Sequence, residues 1–327
     1  MNIKRNIAVV GCGHWGKNLV RNFSELGALA AICDPNYELA QSFAKTYSVD
    51  NLPFESIIKN EAIEGVVLAV PAPLHASLAI DVTNAGKHVY VEKPLAMNCY
   101  EANKMIVSAK KSGVHLMVGH LLQYHPVFEA IRGLVKSGKL GPLHYIYSNR
   151  LSFGKVRSEE DVIWSFAPHD ISMILSLTGQ EPGLLRTESS RILNTNIADT
   201  AIIFMEFKSS LKAHVFVSWL HPYKEQKLVV VGRDGTIVFD DTKAWNEKLA
   251  IFPHLMKSSK GIHNLVKGDP EYFEVAQSEP LRNECQHFLD VVNDNIAPLT
   301  DGKEGLSVLR VLSAASLSET NKKKVRL

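Results

Sequence analysis

One segment of the chain has the residue types and spacing of a dinucleotide-binding loop, Gly11-Cys12-Gly13-His14-Trp15-Gly16. It follows a short apolar run and precedes a helical pattern, the context that raises a GxGxxG motif above chance. The first glycine permits a tight turn, the second lets the backbone approach a pyrophosphate, and the third allows close helix–strand packing. Unpaired N–H groups at the helix N-terminus would face the anion. The predicted cofactor contacts here are Gly11, Gly13, His14, Trp15 and Gly16.

Asp34 lies at the end of the second predicted strand, where dinucleotide-binding folds place an acidic residue. A carboxylate there accepts hydrogen bonds from both ribose hydroxyls of an adenosine and repels a 2′-phosphate. Pro35 and Asn36 follow, with no adjacent Arg to pair with such a phosphate. The segment therefore favours NAD over NADP. Capping of the following helix is an alternative role for Asp34, and the two roles are compatible.

Two further loops follow predicted strands and reach the carboxyl edge of a parallel sheet, where ligands of such folds bind. Residues 70–75 supply Pro71, Leu74 and His75 as expected cofactor contacts. The second loop is Glu92-Lys93-Pro94, whose first two residues are also expected to contact the cofactor. A lysine beside a dinucleotide is able to hold a substrate hydroxyl and favour its ionised form, and Glu92 could hold or tune the ammonium. The alternative for Glu92 and Lys93 is a solvated ion pair.

These loops need a scaffold, and the first part of the chain alternates apolar runs with helical patterns, which favours a doubly wound parallel sheet of the Rossmann type. Its predicted strands are residues 7–10, 28–33, 65–70, 88–91 and 114–118. After Tyr124, strand-like runs dominate, at 143–152, 200–207, 211–219, 227–231 and 236–239. Arg233-Asp234-Gly235 is a hairpin signal between the last two. The second part is therefore predicted to be an α/β domain with an open, mostly antiparallel sheet.

The expected domains are an NAD-binding Rossmann domain over residues 1–122 and a domain for substrate binding and oligomerisation over residues 123–327. Further helices are predicted near residues 126–136, 167–177, 279–293 and 303–319. The C-terminal helix is able to pack back on the first domain.

Composition limits the functional class. The 36 basic and 34 acidic residues give a net charge of +2, too balanced for a nucleic-acid-binding or membrane-surface protein. The four cysteines have neither CxxC nor zinc-like spacing, so no metal site is predicted and a reducing compartment is favoured. The apolar run before Gly11 is too short for a signal-peptide core, and no apolar run reaches about 18 residues. A cytoplasmic protein is expected.

Residues 11–16, Asp34 and Glu92-Lys93-Pro94 together resemble the Gfo/Idh/MocA family of dehydrogenases in order and spacing. The resemblance covers essentially the whole chain. It implies an NAD(P)-binding domain followed by an α/β domain whose open sheet often makes the subunit contact, in homodimers or homotetramers. Lys93 falls on the family's catalytic lysine, whose bond to the following proline is often cis. His169 falls on the family's active-site histidine.

The residues around His169 refine that role. Pro168 predicts a helix start, and a helix N-terminus disfavours the imidazolium, which keeps a neutral base available near neutral pH. Ser165 stands where many relatives carry the Asp of a Lys–Asp–His set, which shifts weight to Lys93 and His169 themselves. Asp170 is interpreted as an N-terminal helix residue or as a contact to a substrate hydroxyl.

Later segments point to a branch of the family. Residues 119–126 link the two domains and are expected to line the cleft, while residues 218–224 and 279–284 resemble the branch that acts on nucleotide sugars. Asn149, Arg150 and Arg157 suit a diphosphate or a sugar, because an arginine presents a fork of donors to a phosphate; the alternative is that they are surface residues. The expected substrate contacts are Lys93, Tyr124, Asn149, Arg150, Arg157, Ser165, His169 and Asp170.

The resemblance therefore implies NAD-dependent oxidation of the C3 hydroxyl of a UDP-linked N-acetylhexosamine to a ketone. An aminotransferase would convert that ketone to an amine for lipid A or O-antigen sugars. Lys93 would orient the hydroxyl, and Lys93 or His169 would take its proton. Three alternatives stay open: the uronate of the same sugar, a free sugar or inositol as substrate, and an NAD-binding regulator without turnover.

Overall fold

The computed structural model describes residues 4–154, 156–157, 160–193, 195–259 and 262–327. The chain divides into two compact units. The first comprises Met1–Tyr124 and Glu279–Leu309, and the second His125–Ser278 and Arg310–Leu327. The part of the chain that returns to the first unit is therefore a segment of the last third, whereas the extreme C-terminus belongs to the second unit.

The helices are α1 (Gly16–Glu25), α2 (Tyr37–Tyr47), α3 (Phe54–Lys59), α4 (His75–Asn84), α5 (Cys99–Ser112), α6 (Pro126–Lys136), α7 (Val162–Thr178), α8 (Pro280–Asp294) and α9 (Gly302–Asn321). The strands of the first unit are β1 (Ile7–Val10), β2 (Leu29–Cys33), β3 (Asp50–Asn51), β4 (Gly65–Leu68), β5 (His88–Glu92) and β6 (Leu116–Gly119). Those of the second are β7 (Leu143–Phe153), β8 (Leu184–Ser190), β9 (Thr200–Glu206), β10 (Lys212–Ser218), β11 (Leu220–Gly232), β12 (Thr236–Asp240), β13 (Leu249–Phe252), β14 (Leu255–Ser259), β15 (Ile262–Val266), β16 (Glu271–Tyr272) and β17 (Val325–Arg326).

The first unit contains the predicted Rossmann sheet. Over its described residues the strand order is β3-β2-β1-β4-β5-β6, and every neighbouring pair is parallel. Strand β1 is fully buried because helices cover both faces of a parallel sheet. The strand order reverses between β1 and β4, so the loops after these two strands border the crevice in which doubly wound folds bind their ligands.

The segment that returns from the last third of the chain completes this unit. Helix α8 buries Phe288, whose ring packs edge-on against Phe23 of α1 at 6.2 Å and against Tyr90 of β5 at 5.8 Å. Burying one such ring stabilises a fold by roughly 1.5–3 kcal/mol. Thr300 then covers the edge of β6, where Val118 N donates to its carbonyl at 2.8 Å and its hydroxyl donates to Val118 O at 2.7 Å.

The second unit is built on a long, mostly antiparallel sheet, as predicted. Its order over the described residues is β16-β13-β12-β11-β7-β10-β9-β8-β17, in which β7 and β10 run parallel and the other pairs antiparallel. The predicted hairpin joins β11 to β12. Helix α7 packs against β7, β9 and β10. The alternate side chains of these strands, among them Tyr147, Phe204 and His214, stay partly exposed on the other face.

The helix that carries His169 begins earlier than the sequence predicted. Asp161 caps α7 by accepting a hydrogen bond from Trp164 N at 3.0 Å, and the helix starts at Val162. Pro168 lies inside the helix rather than at its start. The predicted helix start at Pro168 is therefore wrong, and with it the argument that a helix N-terminus keeps His169 neutral. The aspartate cap and the burial of Val162 outweigh the local signal of the proline.

Candidate functional site

The loop between β1 and α1 has the shape that its glycines predict. Gly11 has φ +96°, and a Cβ on it would lie 2.5 Å from the carbonyl oxygen of Ala69. A Cβ on Gly16 would lie 1.9 Å from the carbonyl oxygen of Gly11. Around Gly13, by contrast, a Cβ would meet no described atom within 4 Å. Two of the glycines are thus required by the fold itself, while the third leaves open space for a ligand beside the backbone.

The N-terminus of α1 suits an anion. Trp15 precedes the helix without a side-chain cap, and the first turn holds no acidic residue. The backbone N–H groups of an uncapped first turn and the positive end of the helix dipole favour a phosphate. Together with the space at Gly13, this loop fits the diphosphate of a dinucleotide. His14 is exposed beside it.

Asp34 is held at the end of β2. Its Oδ2 accepts from Cys12 N at 2.7 Å and its Oδ1 from Asn36 N at 2.9 Å. The cap of α2 is Asn36, whose side chain accepts from Leu39 N at 3.0 Å. The residue that caps α2 is therefore Asn36 and not Asp34. The carboxylate stays partly exposed, fixed in place by two backbone donors, with lone pairs left for ribose hydroxyls.

The loop after β4 positions Pro71, Leu74 and His75. Pro71 and Leu74 are exposed, so both are accessible to a ligand. The ring of His75 is buried between two carbonyl groups, with Nδ1 2.8 Å from Pro94 O and Nε2 2.9 Å from Val70 O. Burial lowers the pKa of His75. This ring ties the loop after β4 to the loop after β5, and its buried surface leaves little for a cofactor to contact.

Glu92 ends β5 as a nearly buried carboxyl group with three donors. Trp15 Nε1 donates to its Oε1 at 2.5 Å, Tyr90 donates its hydroxyl to the same oxygen at 3.1 Å, and Lys93 N donates to Oε2 at 3.2 Å. Burial raises the pKa of Glu92, and these donors and the Lys93 ammonium oppose the rise. Trp15 of the glycine loop and Glu92 of the lysine loop are thus joined directly.

Lys93 follows Glu92 at the carboxyl end of β5, and its peptide bond to Pro94 is cis. Its side chain is half-buried. The first unit therefore carries the glycine loop, Asp34 and Lys93 at the carboxyl ends of β1, β2 and β5 of one parallel sheet. These are the groups expected to hold a dinucleotide and a substrate hydroxyl.

The second unit carries His169, Ser165 and Asp170 on α7. His169 is half-buried and Ser165 is buried. Asp170 is 1% exposed and accepts from Ser148 Oγ at 2.5 Å and from Arg150 Nε at 2.6 Å. Arg150 and Asp170 were both expected to contact substrate. The structure pairs them with each other between β7 and α7, and their contact with substrate stays a prediction.

The other expected substrate contacts are dispersed. Asn149 donates to Glu225 Oε1 at 2.6 Å within the second unit. Arg157 pairs with Glu160 at 2.7 Å on the surface of that unit. Tyr124, in the first unit, is buried and donates its hydroxyl to Thr300 Oγ1 at 2.8 Å, because that threonine hydroxyl already donates to Val118 O. This hydrogen bond gives Tyr124 a structural role within the first unit, which is independent of any contact with substrate.

Sequence reasoning missed a buried carboxyl group close to Glu92. Glu284 of α8 is fully buried in the first unit, beside Glu92 and Tyr90. A signal was present, because Glu284 interrupts a helical stripe of buried apolar residues. That stripe consists of Leu281, Cys285, Phe288, Leu289 and Val292.

Over the residues that the structure describes, no helix is long and apolar enough to cross a membrane, and no cluster of three His, Cys, Asp or Glu side chains is arranged to hold a metal ion.

Two family models match the chain. The model described as "Oxidoreductase family, NAD-binding Rossmann fold" of GFO/IDH/MocA matches residues 5–120, and the model of the GFO/IDH/MocA C-terminal domain matches residues 128–238. Together they cover more than half of the sequence.

Similar proteins include dehydrogenases of two substrate classes. UDP-N-acetylglucosamine 3-dehydrogenase of Acidithiobacillus ferrooxidans is 26% identical over 316 residues, which span 96% of each chain. A solved structure of that enzyme, GnnA, superposes with a TM-score of 0.85 at 25% identity, over 97% of each chain. The scyllo-inositol 2-dehydrogenase (NAD(+)) of Bacillus subtilis is 25% identical over 340 aligned positions, covering 98% of this chain and 95% of the relative.

Proposed function

Because the chain belongs to the GFO/IDH/MocA family of oxidoreductases, we propose that it uses NAD to oxidise the C3 hydroxyl of UDP-N-acetylglucosamine to the 3-keto sugar. The observation that carries the dehydrogenase part is the placement of the glycine loop, Asp34 and Lys93 at the carboxyl edge of one parallel sheet. The substrate part is supported by the similarity to the UDP-N-acetylglucosamine enzyme, which extends over nearly the whole of both chains.

The first unit would hold the cofactor. The diphosphate would lie in the open space at Gly13, against the uncapped start of α1. Asp34 would accept hydrogen bonds from the two ribose hydroxyls of the adenosine, and this contact favours NAD over NADP. Pro71 and Leu74 are exposed at the same edge. When bound, the nicotinamide supplies the acceptor for a hydride.

Lys93 and His169 would handle the proton. Loss of a hydride from C3 must be accompanied by loss of a proton from the hydroxyl on the same carbon. In one arrangement the Lys93 ammonium donates a hydrogen bond to that hydroxyl and stabilises its ionised form, while neutral His169 takes the proton. In the other, the neutral amine of Lys93 takes the proton itself. With Ser165 in place of an aspartate, the relay has no carboxylate at that position. Binding energy from the distant UDP group would fix the sugar in place for the transfer.

The proposal includes the setting in which the enzyme works. We propose a cytoplasmic homodimer or homotetramer whose ketone product is consumed by an aminotransferase. The partly exposed aromatic face of the long sheet supports self-association, since Tyr147 and His214 stack there at 5.3 Å and Phe204 packs alongside. Asn149, Arg150, Arg157, Tyr124 and Asp170 remain proposed substrate contacts.

A free cyclitol is the second candidate substrate, because an inositol dehydrogenase is about as similar in sequence as the nucleotide-sugar enzyme. The uronate of the same UDP-sugar is a third. An NAD-binding regulator without turnover is the remaining alternative.

The test is nicotinamide reduction by the purified protein. The assay compares three substrates, each with NAD or NADP: UDP-N-acetylglucosamine, UDP-N-acetylglucosaminuronate and scyllo-inositol. An aminotransferase and glutamate are present to remove a 3-keto product. We expect reduction with UDP-N-acetylglucosamine and NAD. Reduction with only the uronate or only scyllo-inositol would identify that compound as the substrate instead. No reduction with any of the three would favour an NAD-binding regulator without turnover.

Lys93→Ala in the same assay tests the role of the lysine. It removes the ammonium and leaves the backbone donor to Glu92 in place. We expect turnover to fall at least a hundredfold, and by a larger factor than the affinity for NADH, since general acid–base groups contribute about 10²–10⁴-fold. Turnover near that of the wild type would refute the role of Lys93.

A further inference from the structure

Two buried carboxyl groups lie together under the lysine loop, one on β5 and one on α8. Glu284 is 0% exposed and Glu92 is nearly buried. The hydroxyl of Tyr90, also fully buried, donates its hydrogen bond to Glu92 and lies beside Glu284. A Cβ on Gly119 would lie 2.7 Å from that hydroxyl and 3.0 Å from Glu92 Oε2, so the backbone of β6 packs closely against Tyr90 and Glu92. Two buried charges of the same sign that act on each other repel, so a state in which both carboxyl groups are ionised is disfavoured.

The hydrogen bonds around the pair decide which of the two carboxyl groups keeps a proton. Glu92 accepts from Trp15, Tyr90 and Lys93, and donors of this kind stabilise an ionised carboxylate. Neither carboxyl oxygen of Glu284 has a hydrogen-bond partner within the described residues. An ionised group in that position would be a buried charge without donors, which is among the costliest arrangements in a protein.

We infer that the proton of the pair resides on Glu284, which leaves Glu92 as the single negative charge behind Lys93 and makes Glu284 a positioning residue of the site. Glu92 is ionised only as long as Glu284 is neutral. Its carboxylate then holds Trp15 of the glycine loop and the backbone of Lys93 through the same two oxygens. The role in positioning Lys93 rests on the proposed function, whereas the location of the proton does not.

Burial and the charges of Glu92 and Glu304 act on Glu284 in the same direction, whereas Tyr90 opposes them. Burial and the charge of Glu92 raise the pKa of Glu284 well above its usual value, and Glu304 of α9 raises it further. Glu304 is itself paired with His120 at 2.6 Å. The titratable groups that face Glu284 are Glu92 and Tyr90 from β5, Glu304 from α9, Tyr124 from the segment after β6, and Cys285 on its own helix.

The test makes the same chemical change at both members of the pair, Glu284→Gln and Glu92→Gln, and follows thermal unfolding of the ligand-free protein from pH 4.5 to 9. A glutamine at position 284 has the shape of the neutral acid. The raised folded-state pKa of Glu284 means that its contribution to stability is complete below the unfolded pKa and is lost as the pH rises toward the folded pKa. Glu284→Gln escapes this loss, so its Tm relative to wild type should rise by roughly 3 °C per pH unit over that range.

Glu92→Gln is expected to lower the Tm at every pH, because its amide would point N–H groups at the donors Lys93 N or Trp15 Nε1. Opposite behaviour of the two variants supports the assignment. A rise for Glu92→Gln with a fall for Glu284→Gln would place the proton on Glu92 and overturn it. Equal falls in both variants, or a Glu284→Gln difference that does not depend on pH, would overturn the shared proton.

A second measurement tests the positioning role. With UDP-N-acetylglucosamine and NAD, Glu284→Gln should shift the pH at which kcat/KM falls on the alkaline side upward by one unit or more. Glu284→Leu should lower kcat at least tenfold, whereas Glu284→Gln should keep a kcat close to that of the wild type. An unchanged pH profile in Glu284→Gln would overturn the positioning role. Lack of turnover in the wild type would instead count against the proposed function, and the unfolding experiment would still decide the location of the proton.

Discussion

Gly13 offers a sharp test of the dinucleotide loop, because the structure separates its role from those of its neighbours. A Cβ at this position would meet no described atom within 4 Å, and the backbone conformation is one that other residues adopt. Gly13→Ala should therefore cost the fold nothing. Replacing a glycine at a compatible position stabilises a protein by about 0.4–1 kcal/mol, mainly through the unfolded state, so a rise in Tm of about 1–3 °C is expected.

The same methyl group would occupy the space that we assign to the pyrophosphate. Forcing a methyl group into a filled contact costs about 1–3 kcal/mol, so the Kd for NADH should rise about 5- to 150-fold. Titration of NADH fluorescence, with thermal unfolding of the ligand-free protein, measures both effects. The variant should thus be as stable as the wild type or more so, and bind the cofactor worse.

Two further glycine variants serve as controls. Gly133→Ala makes the same change in open space on α6 of the second unit, so it should leave NADH affinity unchanged. Gly16→Ala would bring its methyl within 1.9 Å of a backbone oxygen, so it should lower the Tm as well as the affinity. If Gly13→Ala binds NADH as tightly as Gly133→Ala, the loop does not hold the diphosphate and the reasoning fails.

Three other predictions concern charge and assembly. Asp34→Asn removes the charge at nearly constant size, so the ratio of NADP to NAD initial rates should rise at least tenfold; an unchanged ratio would exclude Asp34 from the ribose. Arg191 and other donors lower the pKa of Glu319 from its usual 4.5 to about 2. Glu319→Gln should therefore cost about 2–3 kcal/mol of unfolding free energy at pH 7, and urea titrations should show this difference shrinking as the pH falls from about 4.5 toward 2; a constant difference would contradict the assignment. Phe204→Asp on the exposed sheet face should reduce the mass measured by light scattering to that of the monomer with little change in Tm; an unchanged oligomer would place the interface elsewhere.

The Rossmann unit was predictable because its signals are local. Each buried strand is a short apolar run, and the glycine loop and Asp34 follow directly from the ends of β1 and β2. Asp34 could be assigned a place from sequence, although its capping alternative was settled only by Asn36, which takes that role two residues later.

Other features were missed, either because the local signals were weak or competed with each other, or because the feature depends on tertiary contacts. The predicted start of α7 was wrong because the cap at Asp161 is a stronger signal than Pro168, which lies about two helical turns further on. Strand β8 was missed, since its residues are mostly polar and only alternate positions are buried. The pairing of Arg150 with Asp170 joins β7 to α7, and the nearness of Glu284 to Glu92 needs the return of α8.

The return of α8 and Thr300 also sets the order in which the protein can be made. During synthesis, all of the second unit except its C-terminal segment leaves the ribosome before Phe288 arrives to pack on Phe23 and Tyr90. Until then β6 has an uncovered edge, a template for pairing with other chains. The nascent Rossmann unit must therefore wait, incomplete, for residues that are synthesised after most of the second unit, which makes it a natural client for a chaperone and a poor candidate for expression as an isolated fragment.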